Sequence, residues 1–261
     1  MKILTVGDVV SAVGREMLFR YVDDLKYKEN IDLCIVNSEN ASHGSGMNRN
    51  AYNEMMRAGA DAFTMGNHTW GSRDIHDTFR LEDNVIRPAN FSKSCPGKGS
   101  MLITAKNGKK VGVINLIGQT YMAFPANSPF EAADREIERL KKSTNIILVD
   151  FHAEATSEKR AMGFYLDGRV SAVYGTHTHT QTADEYIMPN GTGYITDLGM
   201  TGVTDSVLGM KKQIIINRFL TAMPQKFEIA SGKGQFNACI FDIDDESGLC
   251  TDVKRIFIRE K

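Results

Sequence analysis

At 261 residues, with 42% hydrophobic and 24% charged side chains, the chain is long enough for a sizeable core and has an ordinary globular composition. Its formal net charge of −1 excludes a broad basic face, so no stable nucleic-acid complex is expected, while a small nucleotide fits that balance. The four cysteines (Cys34, Cys95, Cys239, Cys250) form no C-x-x-C pair, and Met1-Lys2 leads into an apolar run too short for a signal segment or a membrane span. The expectation is a reduced cytoplasmic protein with no membrane partner.

In chain order, Lys2–Val6 reads as a strand and Arg15–Lys26 as an amphipathic helix. Asp32–Asn37 is the next strand, followed by a helix over Asn48–Arg57 that ends at Gly59. Asp61–Met65 is a third strand and Ser72–Phe79 another helix. This alternation predicts βαβ units and a largely parallel sheet. Further on, Met101–Thr104 and Lys110–Leu116 flank Asn107-Gly108, a hairpin signal. A helix over Pro129–Lys142 precedes a strand at Asn145–Asp150; a helix follows Ala153, and Arg169–Tyr174 is one more strand. Asp184–Met188 and Gly193–Thr196 flank Pro189-Asn190-Gly191 as a second hairpin. Gln213–Leu220 is expected in the core or at a subunit contact, and strands close the chain at Ala238–Ile243 and Asp252–Arg259. With no repeat and no linker, one mixed α/β domain over residues 1–261 is expected.

Five of these apolar runs end in polar clusters: Gly7-Asp8, Asn37-Ser38-Glu39-Asn40, Gly66-Asn67-His68, Asp150-Phe151-His152 and Gly175-Thr176-His177-Thr178-His179. Ligands of open α/β sheets bind beyond the carboxyl ends of strands, so residues distant in sequence can converge there. Gly7, Gly66 and Gly175 are expected to let the backbone turn sharply as it leaves each strand. Carboxylate, amide and imidazole donors without thiolate suit iron or manganese, with zinc also accommodated. Glu39 has two oxygens with which to bridge two ions. Two divalent ions against two carboxylates leave roughly +2 at the centre, which suits a phosphodiester anion.

Gly66-Asn67-His68 and Gly175-Thr176-His177-Thr178-His179 resemble the Gly-Asn-His and Gly-His-x-His signatures of calcineurin-like metallophosphoesterases. Gly7-Asp8 is similar to their first motif, although Val10 stands where its histidine belongs. Asn37-Ser38-Glu39-Asn40 replaces the usual Gly-Asp. These departures resemble the YmdB subfamily of bacterial phosphodiesterases, and the likeness extends through Asp197–Gly202 and Asp205–Gly209. The resemblance implies a four-layer α/β/β/α sandwich with two facing mixed sheets. It implies one metal held by Asp8, Glu39, Asn40 and His179, with Asn40 replacing the missing histidine, and a second held by Glu39, Asn67, His152 and His177. It further implies hydrolysis of 2′,3′- or 3′,5′-cyclic nucleotides, and a homo-oligomer such as a dimer or tetramer. In the mechanism this suggests, a metal-bridging hydroxide attacks phosphorus in line and His68 protonates the departing ribose oxygen.

Other readings stay open beside this one. Asp8 alone is a candidate helix cap, and Asp150 competes with His152 as a ligand. His43 and His76 read as ordinary surface histidines, although the His43 loop follows Glu39-Asn40 and is a candidate pocket wall. Trp70 either stacks a base or packs. Gly44-Ser45-Gly46 and Gly97-Lys98-Gly99 match no phosphate-binding loop and read as turns, and no base is identifiable for Ser206. A phosphomonoesterase or nucleotidase on the same scaffold, and a regulatory protein that binds a nucleotide without turning it over, are the competing functions. Capsule-biosynthesis relatives of this fold carry His-Trp-Gly-x-Glu and a membrane link, where this chain has His152-Ala153-Glu154 and no anchor.

Overall fold

The computed structural model describes residues 1–123 and 125–261. The elements run β1 (Lys2–Val6), β2 (Asp8–Val9), α1 (Ser11–Glu29), β3 (Leu33–Asn37), α2 (Arg49–Arg57), β4 (Ala62–Thr64), α3 (Ile75–Leu81), β5 (Val85–Ile86), β6 (Ser100–Thr104) and β7 (Lys110–Ile117). They continue with α4 (Pro129–Leu140), β8 (Ile147–His152), α5 (Thr156–Leu166), β9 (Ala172–Thr176), β10 (Tyr186–Ile187), β11 (Gly193–Ile195), β12 (Met200–Val203), α6 (Lys212–Thr221), β13 (Gly234–Ile243) and β14 (Cys250–Arg259).

The first sheet has the order β2-β12-β13-β1-β3-β4-β5, with β14 on the outside of β13; the second has the order β10-β11-β9-β8-β7-β6. Strands β1, β3, β4 and β5 are parallel, as the βαβ alternation predicts, but β13 pairs antiparallel with β1 and, nearer its own start, with β12, which makes the sheet mixed. In the second sheet β7, β8, β9 and β11 are parallel and the two predicted hairpins supply its antiparallel edges. Their turns place Gly108 at φ 82° and Gly191 at φ 95°, the left-handed region that glycine enters without cost.

Alternate side chains explain why these strands read as continuous apolar runs. In β3, Cys34 and Val36 join the core under α1 and α2, whereas Leu33 and Ile35 face the second sheet. In β8, Leu148 faces the first sheet, while Ile147, Val149 and Phe151 pack against Ile137 and Leu140 of α4 and Met162 and Leu166 of α5. Both faces of the central strands are covered, which gives the helix–sheet–sheet–helix layering that the family resemblance implies.

Two differences from the sequence reading have physical causes. β8 and β9 continue through His152 and Thr176 because these pair with Ile117 of β7 and with each other, so extended backbone carries past the apolar run. Helix α6 does not enter the core: Ile215 is its one buried residue, and Phe219 and Leu220 are 83% and 78% exposed. No helix among the described residues is long and apolar enough to cross a membrane.

Candidate metal centre

All seven proposed ligands and His68 meet at the carboxyl edges of the two sheets. The first sheet delivers Asp8 after β1, Glu39 and Asn40 after β3, and Asn67 and His68 after β4; the second delivers His152 at the end of β8, and His177 and His179 after β9. Glycines make this approach possible, though not by the sharp turn expected of them. Gly7, Gly66 and Gly175 do not have positive φ; what they provide is room. A Cβ at Gly66 would stand 2.4 Å from both Glu39 Oε2 and His152 Nε2, and one at Gly7 or Gly175 would stand 1.9 Å from the carbonyl oxygen of Gly199 or Thr196. The left-handed residues are instead His177 (φ 96°) and His179 (φ 62°), a costly conformation for side chains other than glycine.

One group of donors surrounds His152. Its Nε2 lies 2.9 Å from Asn67 Oδ1, 3.1 Å from His177 Nδ1 and 3.2 Å from Glu39 Oε1. Glu39, His152 and His177 offer ligand atoms all within 4.8 Å of one another, a geometry able to hold a metal ion. Outer contacts turn the rings to suit. His152 Nδ1 is 2.9 Å from Thr176 Oγ1, which donates to Asp150 Oδ1 at 2.7 Å, and His177 Nε2 is 3.2 Å from Glu154 Oε2. With those nitrogens engaged as donors, the other nitrogen of each ring presents its lone pair to the cluster, the arrangement metal-ligating histidines adopt.

A second group surrounds Asp8. Its Oδ2 accepts the His177 backbone N–H at 3.1 Å, while the buried Oδ1 has no hydrogen-bond partner among the described residues. That oxygen lies 3.8 Å from His179 Nε2 and 3.9 Å from His152 Nδ1. His179 Nδ1 donates to the Leu208 carbonyl at 3.3 Å, which leaves its Nε2 lone pair directed inward, 3.0 Å from Asn40 Nδ2. A buried carboxylate oxygen without a donor is costly, and a cation held there would resolve it. The donors thus form one group able to hold a metal ion, Glu39, His152 and His177, with Asp8 and His179 adjoining it.

The electrostatics point the same way. Burial pushes the Asp8 carboxyl above its usual range, against the pull of His179 and His152. Burial also works against the Glu39 carboxylate, yet His152 and His68 hold it well below the usual range. Burial alone would lower His152; Glu39, Asp8 and Asp150 instead hold it up at about 9. Burial and the neighbouring His152 depress His177 to about 3, so its ring is neutral and ready to coordinate. Without a cation, a proton on His152 supplies the positive charge this acidic cluster requires.

Asp150 is not among the converging donors. It lies beneath them, accepting from Thr176, Thr64 and Asn37, and burial pushes its carboxyl up to about 6. Thr176, Glu154 and Leu208 lie in stretches singled out from the sequence, but their part, orienting other side chains, carried no signal there. Trp70 packs against His76, Phe79 and Phe91 rather than facing the cluster. Ser206 donates to the Val203 carbonyl inside a turn, and His43 is an exposed residue of an otherwise largely buried loop that lines one cavity with His68.

Two facing mixed sheets of this topology define the metallophosphoesterase fold. A family described as "YmdB-like protein" matches residues 4–256, and the chain belongs to that family. It is 49% identical, over 100% of its length and 98% of the relative's, to a 2′,3′-cyclic-nucleotide 2′-phosphodiesterase of Bacillus subtilis. It is 36% identical, over 99% and 93%, to a putative phosphatase/phosphodiesterase of Mycoplasma genitalium. Among solved structures, a hypothetical protein from Thermus thermophilus superposes with TM-score 0.93 at 37% identity, covering 100% of both chains. A novel phosphatase from Mycoplasma pneumoniae superposes with TM-score 0.92 at 34% identity, covering 99% of this chain and 93% of that one.

Proposed function

We propose that the chain is a single-domain, metal-dependent phosphoric diester hydrolase that opens 2′,3′-cyclic nucleotides to nucleoside 3′-monophosphates. The observation that carries this reading is the unpartnered, buried Asp8 Oδ1 inside a ring of imidazole, amide and carboxylate donors, in a relative of a named cyclic-nucleotide phosphodiesterase. Asp8, Glu39, Asn40 and His179 would hold one ion, and Glu39, Asn67, His152 and His177 the other, with iron or manganese favoured over zinc. When bound, such ions supply an activated water and neutralise charge on the phosphoryl oxygens.

The rest of the chemistry falls to side chains. His68 Nδ1 is 2.8 Å from Asn40 Oδ1 and 3.2 Å from Glu39 Oε1, which fixes the ring and leaves Nε2 on the open side. The hydrogen bond to Glu39, opposed by burial, raises the imidazole above its ordinary pKa. A protonated His68 can therefore deliver its Nε2 proton to the 2′-oxygen as the phosphorus–oxygen bond breaks. The reverse orientation of the Asn40 amide turns its oxygen toward His179 and its Nδ2 toward His68 Nδ1. That ring nitrogen then accepts, and even a neutral His68 keeps the proton on Nε2.

A phosphomonoesterase is the second reading, because the mycoplasma relative's name covers both activities. Incubation with 2′,3′-cyclic AMP, with products separated and metal content measured, distinguishes them. The proposal expects accumulation of 3′-AMP by metal-loaded protein; preferential hydrolysis of 3′-AMP itself, or no turnover of the cyclic diester, would overturn it.

A further inference from the structure

On the open side of His68 lies a feature the proposed chemistry leaves unused. A cavity of about 690 Å³ begins at that ring and is walled by Leu208, Met210, Arg218, Phe227 and Ile229. Its size falls within the range of small-molecule sites. It is built from the same loops as the candidate centre. Gly44, at φ 80° in the loop that follows Glu39-Asn40, lies so close to Ile229 that a Cβ there would stand 2.6 Å from the Ile229 Cδ1 atom. Leu208 belongs to both regions, since its side chain lines the cavity while its carbonyl accepts from His179. Within the lining the Arg218 guanidinium lies 4.9 Å over the Phe227 ring centre.

Resting on the cyclic-nucleotide reading above, we propose that this cavity is the nucleobase subsite, with the Arg218–Phe227 pair as its stacking platform. A phosphate at the donor cluster with its leaving oxygen toward His68 places the ribose beside that ring and the base beyond it, in the cavity. Planar heteroaromatic rings stack on aromatic and guanidinium faces. The polar side chains of the lining, His43, Ser45 and Arg218 with His68, include no amide or carboxylate with which to read a base edge. The subsite therefore selects for a base without choosing sharply among bases, and larger purines gain more than pyrimidines.

The test compares kcat/KM for 2′,3′-cyclic AMP with that for methyl riboside 2′,3′-cyclic phosphate, which lacks a base. The wild-type protein should favour the nucleotide by about tenfold or more, and Phe227→Ala or Arg218→Ala should reduce that preference about tenfold, mainly through KM. Equal turnover of both diesters by the wild type, parallel losses on both in the variants, or a change in the variants' molecular mass by sedimentation would overturn the subsite while leaving the diesterase reading intact. Should neither diester turn over, the diesterase reading falls separately, and titration calorimetry with adenosine 3′-monophosphate decides the subsite. Binding weakened by Phe227→Ala then supports it, and unchanged binding overturns it.

Discussion

The carboxylate of Asp197 clasps Thr178, the residue between His177 and His179: its Oδ2 accepts the Thr178 amide at 3.2 Å and the Thr178 hydroxyl at 2.7 Å. Lys159 Nζ lies 2.5 Å from the same oxygen, and both charged groups are buried. The flanking histidines both have positive φ, a conformation worth on the order of 1–3 kcal/mol each in strain that persists only where surrounding bonds impose it. Asp197 is placed to impose it.

Asp197→Ala should therefore act twice. Leaving Lys159 buried without a counter-charge destabilises by about 3–5 kcal/mol, and freeing Thr178 lets the two proposed ligands relax. The double variant Lys159→Met/Asp197→Leu separates the effects. Replacing a buried pair by apolar groups of similar volume recovers much of the stability lost in Asp197→Ala, but no acceptor returns for Thr178 or for the Gly199 amide. Urea unfolding should show recovery while metal content stays low; full metal content in the double variant would reduce Asp197 to a core-filling role.

The His152 imidazole gives a pH signature. Its folded pKa is raised to about 9, against about 6.5 for an unfolded histidine. A raised value means that the contribution to stability is complete below about pH 6.5 and is lost as pH climbs through about 9. Chelator-treated protein should thus lose melting temperature between those limits. Metal-loaded protein should hold its value there, because the cation replaces the proton. His152→Gln should flatten the metal-free profile; an equal slope in that variant would assign the titration to another group.

The strand tips were legible because a continuous apolar run ending in Asp, Asn or His is a linear pattern, and the glycines before Asp8, Asn67 and His177 sharpened it. Their purpose was not legible, since the crowding of Gly7 against Gly199 exists only after β2 pairs with β12. β13 shows the same limit: its place beside β1 is a contact across more than two hundred residues, and no local periodicity encodes it. Nothing in the sequence singles out Lys159 in the helix after Ala153; only packing against Gly175 and Asp197 reveals it as buried. His152 and Asp150, two residues apart on one strand, fall on the same side by period two. Their depth along the strand separates a residue among the donors from one beneath them.

Gly66 offers a clean steric probe. A methyl group there would enter the space between Glu39 Oε2 and His152 Nε2, 2.4 Å from each. The backbone φ is not positive, so alanine costs no conformational strain. Gly66→Ala should keep the fold by circular dichroism yet weaken metal binding by at least ~10-fold, as disturbing metal-ligand orientation commonly does. Unchanged metal stoichiometry and affinity would place the ions away from these two donors.

His68 is 44% exposed at its side chain and is not assigned to either metal, so its removal should separate chemistry from metal binding. His68→Ala should retain metal and lower kcat for 2′,3′-cyclic AMP by about 10²–10⁴-fold. A ribose oxygen needs a proton to leave, whereas a nitrophenolate does not. The same variant should therefore lose less than about tenfold on bis(4-nitrophenyl) phosphate if the role is general acid catalysis. The pH profile gives the independent readout. The acid form of His68 is the donor, so wild-type kcat should fall as pH rises through the pKa of that imidazole. That alkaline limb should be absent from His68→Ala. Comparable losses on both substrates, with the limb retained, would assign His68 to substrate binding and leave the proton to another donor.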